Sequence, residues 1–194
     1  MNYLAHLYLS GDDDALRLGN FMGDSIKGNA YTNYPEKIQQ GVLLHRAIDS
    51  YTDAHPIYKA HVRWLFPTHR HYSRVIVDVL YDHVLAVHWQ RYHEDSLANY
   101  TQTFYAYATR HSALMPKTLH GRFDAMKKYN WLLGYADLKQ LEVLLEQMSM
   151  RTRFPSQLHK SVAQLQANYT SFESDFFTFF SDIKTYTQKK LANL

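Results

Sequence analysis

The sequence predicts an all-α fold in a single domain, and three observations carry that reading. Apolar residues recur at i, i+3 and i+4 nearly everywhere instead of alternating. Only seven Gly and five Pro occur in 194 residues, and they fall where periodic segments end. No internal repeat, low-complexity tract or linker interrupts residues 1–194, and a chain of this size buries about 70% of its unfolded surface.

The elements follow in order. A short helix from Asn2 to Leu9 ends at Ser10-Gly11. The acids Asp12, Asp13 and Asp14 suit the positive end of a helix dipole, so a second helix is expected from there to Lys27, stopping at Gly28-Asn29. Pro35 opens the next, to Ala54, at a position where a missing N–H is harmless. Pro56 to Phe66 forms a further helix closed by Pro67. The strongest periodic segment runs from His71 to Tyr92. Ser96 to Ala113, Lys117 to Lys128 and Asp137 to Met150 follow. Pro155 precedes one long final helix whose stripe of Tyr169, Phe172, Phe176, Phe177 and Phe180 has the spacing of a core face.

Composition narrows the chemistry. The absence of Cys removes disulfides, thiolate zinc sites and a thiol nucleophile. A formal charge of +3 does not mark a nucleic-acid binder. No stretch has the length of a membrane span, and the N-terminus lacks the basic start of a signal peptide, so the expected compartment is the cytoplasm. Twelve His stand out. Any catalysis must use imidazoles, carboxylates or hydroxyls.

Two constellations could carry it. In the helix holding Val75 to Trp89, Asp78 and Asp82 lie four residues apart on one face, with His83 about 100° further round. Buried carboxylates without a partner are costly, so something cationic must face them, either a metal ion or arginines of another helix. The second is His45-Arg46 followed by Asp49, Thr52 and Asp53. His45, Asp49 and Asp53 form a polar stripe on a helix that is otherwise apolar. The pattern predicts that the two helices pack face to face, with His45, Asp82 and His83 converging. Imidazoles with carboxylates suit a divalent first-row ion held in a bundle core. The alternative is a salt-bridge network in which Arg46 neutralises Asp49, Asp78 or Asp82. Asp24 reads as a helix-end carboxylate, and His6 as a core histidine behind any ligands.

Taken together, Met1-Asn2-Tyr3-Leu4-Ala5-His6-Leu7, Gly19-Asn20 through Gly23-Asp24 with Lys27-Gly28, His45-Arg46 with Asp49 and Thr52-Asp53, and Asp78 through Asp82-His83 with His88-Trp89 resemble the acyl carrier protein phosphodiesterase family. The likeness continues more weakly through Tyr129 to Leu132 and Met148 to Arg153. That family resembles a divergent branch of the metal-dependent HD phosphohydrolases, which implies an HD-like helical fold. It also implies a divalent ion, manganese before magnesium or iron, and hydrolysis of the phosphodiester joining 4'-phosphopantetheine to the serine of holo-acyl carrier protein. On this resemblance Asp24, His45, Asp82 and His83 are the expected metal ligands. Asp49 and Asp78 are ligands or orient them, and Arg46 or Lys27 contacts the phosphate. No nucleic acid or membrane is implied as a partner. The acidic carrier protein would dock on the basic run Arg63, His69, Arg70, His71 and Arg74, with Lys127-Lys128 and Arg151 to Arg153 as further candidates. A nucleotide phosphohydrolase and a non-catalytic helical binding module are the rival readings.

Overall fold

The computed structural model describes residues 1–152, 154 and 156–193, and among them all regular structure is helical. The α-helices are α1 (Tyr3–Tyr8), α2 (Asp14–Met22), α3 (Glu36–Ala54), α4 (Pro56–His69), α5 (Ser73–Val87) and α6 (Leu97–Arg110). They continue as α7 (Lys117–Lys128), α8 (Trp131–Gly134), α9 (Leu138–Ser149), α10 (Ser161–Ala167) and α11 (Tyr169–Leu191). The all-α expectation holds. No described helix is long and apolar enough to cross a membrane.

Local chemistry explains the boundaries. The Asp13 carboxylate caps α2 by accepting from the Ala15 and Leu16 amides, Ser96 caps α6 and Asp137 caps α9. Several expected boundaries shift: α5 ends at Val87 short of Tyr92, with a 3-10 turn over Trp89–Arg91, and α6 ends at Arg110 short of Ala113. The second helix stops at Met22, and Gly23–Ser25 tightens into a 3-10 turn. Pro67 does not close α4, which runs on to His69. Pro67 is exposed there, so the hydrogen bond its missing N–H forgoes is left to water. The long final helix is two, broken at Asn168, and the short α8 starts from Asn130 in a left-handed conformation that Asn tolerates. Pro155 and Arg153 lie outside the described residues.

The buried apolar side chains form one contiguous cluster. At its centre is α5, which buries Ile76, Val77, Val79, Leu80, Tyr81, Val84 and Leu85. The Tyr81 ring meets Phe172, Phe176 and Phe179 of α11 with centroids 4.9 to 5.6 Å apart. So the aromatic stripe packs the core as its spacing predicts, except that Phe177 and Tyr169 are only half-buried.

α2 and α3 pack backbone to backbone. A Cβ added to Gly41 would lie 2.2 Å from the Leu16 carbonyl oxygen and 2.7 Å from the Asn20 nitrogen, and one on Gly19 would meet the Ile38 carbonyl at 2.3 Å. This contact sets the His45 stripe of α3 beside the C-terminal end of α2.

Gly41→Ala should therefore destabilise the fold by about 3 kcal/mol, at the upper end of ordinary overpacking, because the clash is with backbone that no rotamer change relieves. Gly121, mid-helix in α7 with nothing near its missing Cβ, is the control, and Gly121→Ala should stabilise by up to about 1 kcal/mol. Urea unfolding midpoints check both.

Candidate metal centre

Four side chains from three segments meet where α1 and α3 face the turn after α2. The His6 and His45 rings stack with centroids 4.1 Å apart and 19° between planes. His45 Nε2 lies 3.1 Å from Asp49 Oδ2 and 3.3 Å from Asp24 Oδ1, and His6 Nε2 lies 3.2 Å from Asp49 Oδ1. Both histidine side chains are buried, at 3% and 7% exposure, while Asp49 at 41% and Asp24 at 69% open toward solvent. Gly23 makes the approach feasible, since a Cβ there would stand 2.3 Å from His45 Cγ.

Asn20 fixes the rings. Its Oδ1 is 2.8 Å from His6 Nδ1 and 3.2 Å from His45 Nδ1. The amide cannot be reversed, because its Nδ2 donates to the His6 carbonyl oxygen at 3.0 Å and to Ser10 Oγ at 2.8 Å. Ser10 Oγ in turn donates to the same His6 carbonyl oxygen. A carbonyl oxygen only accepts, so both Nδ1 atoms carry protons. In neutral His6 the Nε2 carries the lone pair, and among the described residues that buried nitrogen has no aligned hydrogen-bond partner although Asp49 is near.

The charges follow. Burial lowers the His6 pKa, and repulsion from the stacked His45 ring lowers it further, to about 4. Burial would lower His45 as well, but its bonds to Asp24 and Asp49 override this and raise it to about 9. Burial pushes Asp49 up, yet the two imidazoles and the α-amine of Met1 hold it well below the usual carboxylate range. His45 brings Asp24 down too. The Met1 amine bridges Asp49 Oδ1 at 3.6 Å and Asp78 Oδ1 at 3.1 Å, joining α5 to the cluster.

This donor set fits a divalent cation. One ring nitrogen each of His6 and His45 and one Asp49 oxygen lie within 4.8 Å of one another. Two imidazoles in a fixed tautomer, oriented from behind by one amide, present the arrangement that metal ligation uses.

Over residues 1–183 the chain matches the family model described as acyl carrier protein phosphodiesterase. The chain belongs to the acyl carrier protein phosphodiesterase family. Relatives bearing that name come from Serratia proteamaculans strain 568, 31% identical over 195 residues, and from Yersinia pestis, 31% identical over 196 residues. Each comparison covers 98% of this chain and 99% of the relative. The relative from Pectobacterium atrosepticum is 32% identical over 185 residues, covering 93% of this chain and 94% of its own. No solved structure matches.

In this acyl carrier protein phosphodiesterase family member, the residues expected at the site separate into two groups. The structure brings together Asp24, His45, Asp49 and, through Met1, Asp78. Asp82 and His83 do not join them, so the expected convergence of His45, Asp82 and His83 is corrected. Each Asp82 oxygen accepts one amide, from Leu4 at 2.7 Å and from Ala5 at 3.0 Å. Asp82 thus caps α1, which has no side-chain cap of its own. Burial raises its pKa to about 7 despite those bonds. His83 donates from Nδ1 to the Tyr135 carbonyl oxygen at 2.7 Å, and Tyr169 donates to its Nε2 at 3.2 Å.

Among the described residues Arg46 forms no ion pair with Asp49, Asp78 or Asp82. Its guanidinium donates to the Ile26 and Gly28 carbonyls and lies over the Tyr31 ring, pinning the loop after Asp24. Lys27 is exposed on that loop. Two residues were missed in sequence. His6, expected behind the cluster, stands within it beside His45, and Asn20 is the group behind both rings.

In the metal-free protein, side-chain NMR should show His45 titrating near pH 9 and His6 near 4, on opposite sides of the usual 6.5. A histidine raised on folding stabilises the fold fully below its unfolded pKa and loses that contribution as pH climbs through its folded one. Stability of the metal-free protein should therefore fall between pH 6.5 and 9. Asp49→Asn should bring the His45 pKa down and flatten that fall.

Proposed function

We propose that this chain hydrolyses the phosphodiester linking 4'-phosphopantetheine to the serine of holo-acyl carrier protein, releasing apo-acyl carrier protein and 4'-phosphopantetheine. The single observation that carries the reading is the His6, His45 and Asp49 cluster joined by Asp24, which together with Asp78 lines a cleft of about 340 Å³. Membership in the family supplies the substrate class.

His6 Nε2, His45 Nε2 and the Asp49 carboxylate would hold a divalent ion, manganese in our reading, with Asp24 closing the set from the cleft side. Such an ion supplies Lewis acidity toward phosphoryl oxygen and lowers the pKa of water. Asn20 keeps both rings from turning, and His45 gives up its Nε2 proton as the ion enters. Water adds to phosphorus, the bond to the serine oxygen breaks, and that oxygen takes up a proton. Asp78 is suited to provide it, because burial raises its pKa and it lines the same cleft. A non-catalytic module would need the imidazoles only as salt-bridge partners. That role does not call for the unaligned, buried Nε2 of His6.

Release of 4'-phosphopantetheine from holo-acyl carrier protein should require a divalent ion and disappear after exhaustive chelation. With manganese in excess, folded Asp24→Asn should lose at least about tenfold in activity, since even residues behind the ligands are worth that much. Activity within about threefold of the parent would remove Asp24 from the site. Turnover that survives chelation would end the metal reading, and hydrolysis of free nucleotides without action on the carrier would favour the nucleotide phosphohydrolase.

The basic run expected to dock the carrier is only partly on the surface. Arg63, Arg70, His71 and Arg74 are exposed, whereas His69 is buried and bonds Gln164 at 2.7 Å. Arg74 pairs with Asp53, one turn from the Asp49 and Asp78 pair, which ties this face to the cluster. Arg63→Glu with Arg70→Glu should raise KM for the carrier and flatten its salt dependence, leaving kcat near the parent value. An unchanged salt slope places docking elsewhere.

A further inference from the structure

The cleft beside the cluster holds two cations that the sequence reading did not assign to phosphate. Arg122 reaches in from α7 and Arg151 from the end of α9, on the same cleft as Asp24 and Asp78. Arg122 commits Nη1 to the Tyr3 hydroxyl at 2.9 Å. Among the described residues it pairs with no carboxylate, although its charge is felt by Asp24 across the cleft. Tyr3 is itself held by Phe21, with ring centroids 5.3 Å apart, so the guanidinium is anchored at one nitrogen on a packed ring. Arg46, whose Nη2 donates to the Ile26 and Gly28 carbonyls, and Lys27, exposed on that loop, are not among the described residues lining this cleft. An anion entering this cleft therefore meets Arg122 and Arg151 first.

The cleft does not end there. Its floor residues Trp131 and Leu144 also line an adjoining apolar groove of about 280 Å³ with Lys139 and Gln140 on its walls. The two depressions share that wall, so together they make a trough. One depression carries the Asp24 and Asp78 carboxylates with two guanidiniums, and the other carries aliphatic side chains with amide and ammonium donors, the Trp131 indole lining both. A ligand matching it has a phosphate at one end and a long, slender tail in which apolar groups and amides alternate.

We propose that this trough binds the pantetheine arm, with Arg122, helped by Arg151, on the non-bridging phosphate oxygens and Trp131 under the arm. The assignment rests on the function proposed above. Arg122 is then a catalytic residue in the strict sense of touching the phosphoryl group, and its planar fork suits two oxygens at once in a way an ammonium does not. Charge building on those oxygens in the transition state strengthens the contact, so its loss falls on kcat as well as on binding. Trp131 contacts the arm equally before and during reaction, so its loss falls on KM.

The experiment uses the manganese-loaded full chain and holo-acyl carrier protein, with R122Q, R122K, R151Q and W131A beside the parent. R122Q should lower kcat by about tenfold or more, the equivalent of one charge-assisted hydrogen bond, with R122K intermediate. W131A should raise KM with kcat little changed. Free 4'-phosphopantetheine and pantetheine, which lacks the phosphate, serve as inhibitors. R122Q should weaken inhibition by the first at least about tenfold and leave the second unchanged, whereas a merely structural loss through Tyr3 would weaken both. A parent that cleaves the carrier while R122Q, R151Q and W131A all stay within about threefold overturns this inference and leaves the function standing. Equal weakening of both inhibitors by R122Q also overturns it. A parent that does not cleave the carrier overturns the function, and the trough assignment with it.

Discussion

The backbone contact between α2 and α3 is the constraint on which the site depends. Only where Gly19 and Gly41 remove two side chains can the helices approach until a Cβ would overlap a carbonyl oxygen. That approach puts Asn20, Gly23 and Asp24, three residues of the chain leaving α2, against the His45 face of α3. The same stretch reaches back to α1 through the Asn20 amide. One close crossing thus brings α1, α3 and the turn after α2 to a common point without any of them being long.

Asn20 converts that proximity into chemistry. An acceptor-only oxygen between two Nδ1 atoms fixes tautomer and ring plane for both histidines, and the fixed amide nitrogen keeps the oxygen from swapping ends. Two stacked rings 4.1 Å apart cannot both be charged at low cost, so they split. His45 has two carboxylates and takes the proton, while His6, deeper and repelled, stays neutral. A divalent cation would replace one proton and find one lone pair waiting.

Helical periodicity made nearly all of the fold legible. α3 and α7 appear with boundaries within a residue of expectation because Pro35 and Pro116 open them and apolar spacing fills them. The failures lie where tertiary contacts decide. α2 stops early because Gly23 must fit against the His45 ring, which no periodicity records. Asn168 divides the last helix without a Gly or Pro to announce it. At the site, His45 and Asp49 were legible as a polar stripe on one helix. His6 was not, because a single histidine in an apolar run reads as core, and only the fold shows what lies opposite its Nε2.

The contrast between Asp82 and Asp49 explains why the Asp78 helix misled. Both are acids on apolar helix faces, and a buried carboxylate demands a partner in either case. Sequence shows the demand but not the supplier. Asp82 meets two amide N–H groups at the start of α1, fixed, neutral donors that each take one lone pair of a different carboxylate oxygen. Asp49 meets the His45 imidazolium and an amine, whose protons can leave, with the His6 Nε2 beside them, and it stays open to solvent on one side. A carboxylate tied by backbone is structural because its partners cannot be exchanged. One tied by titratable groups can trade those protons for a cation, and that exchangeability, more than burial or acidity, separates the candidate site from the buried acid beside it.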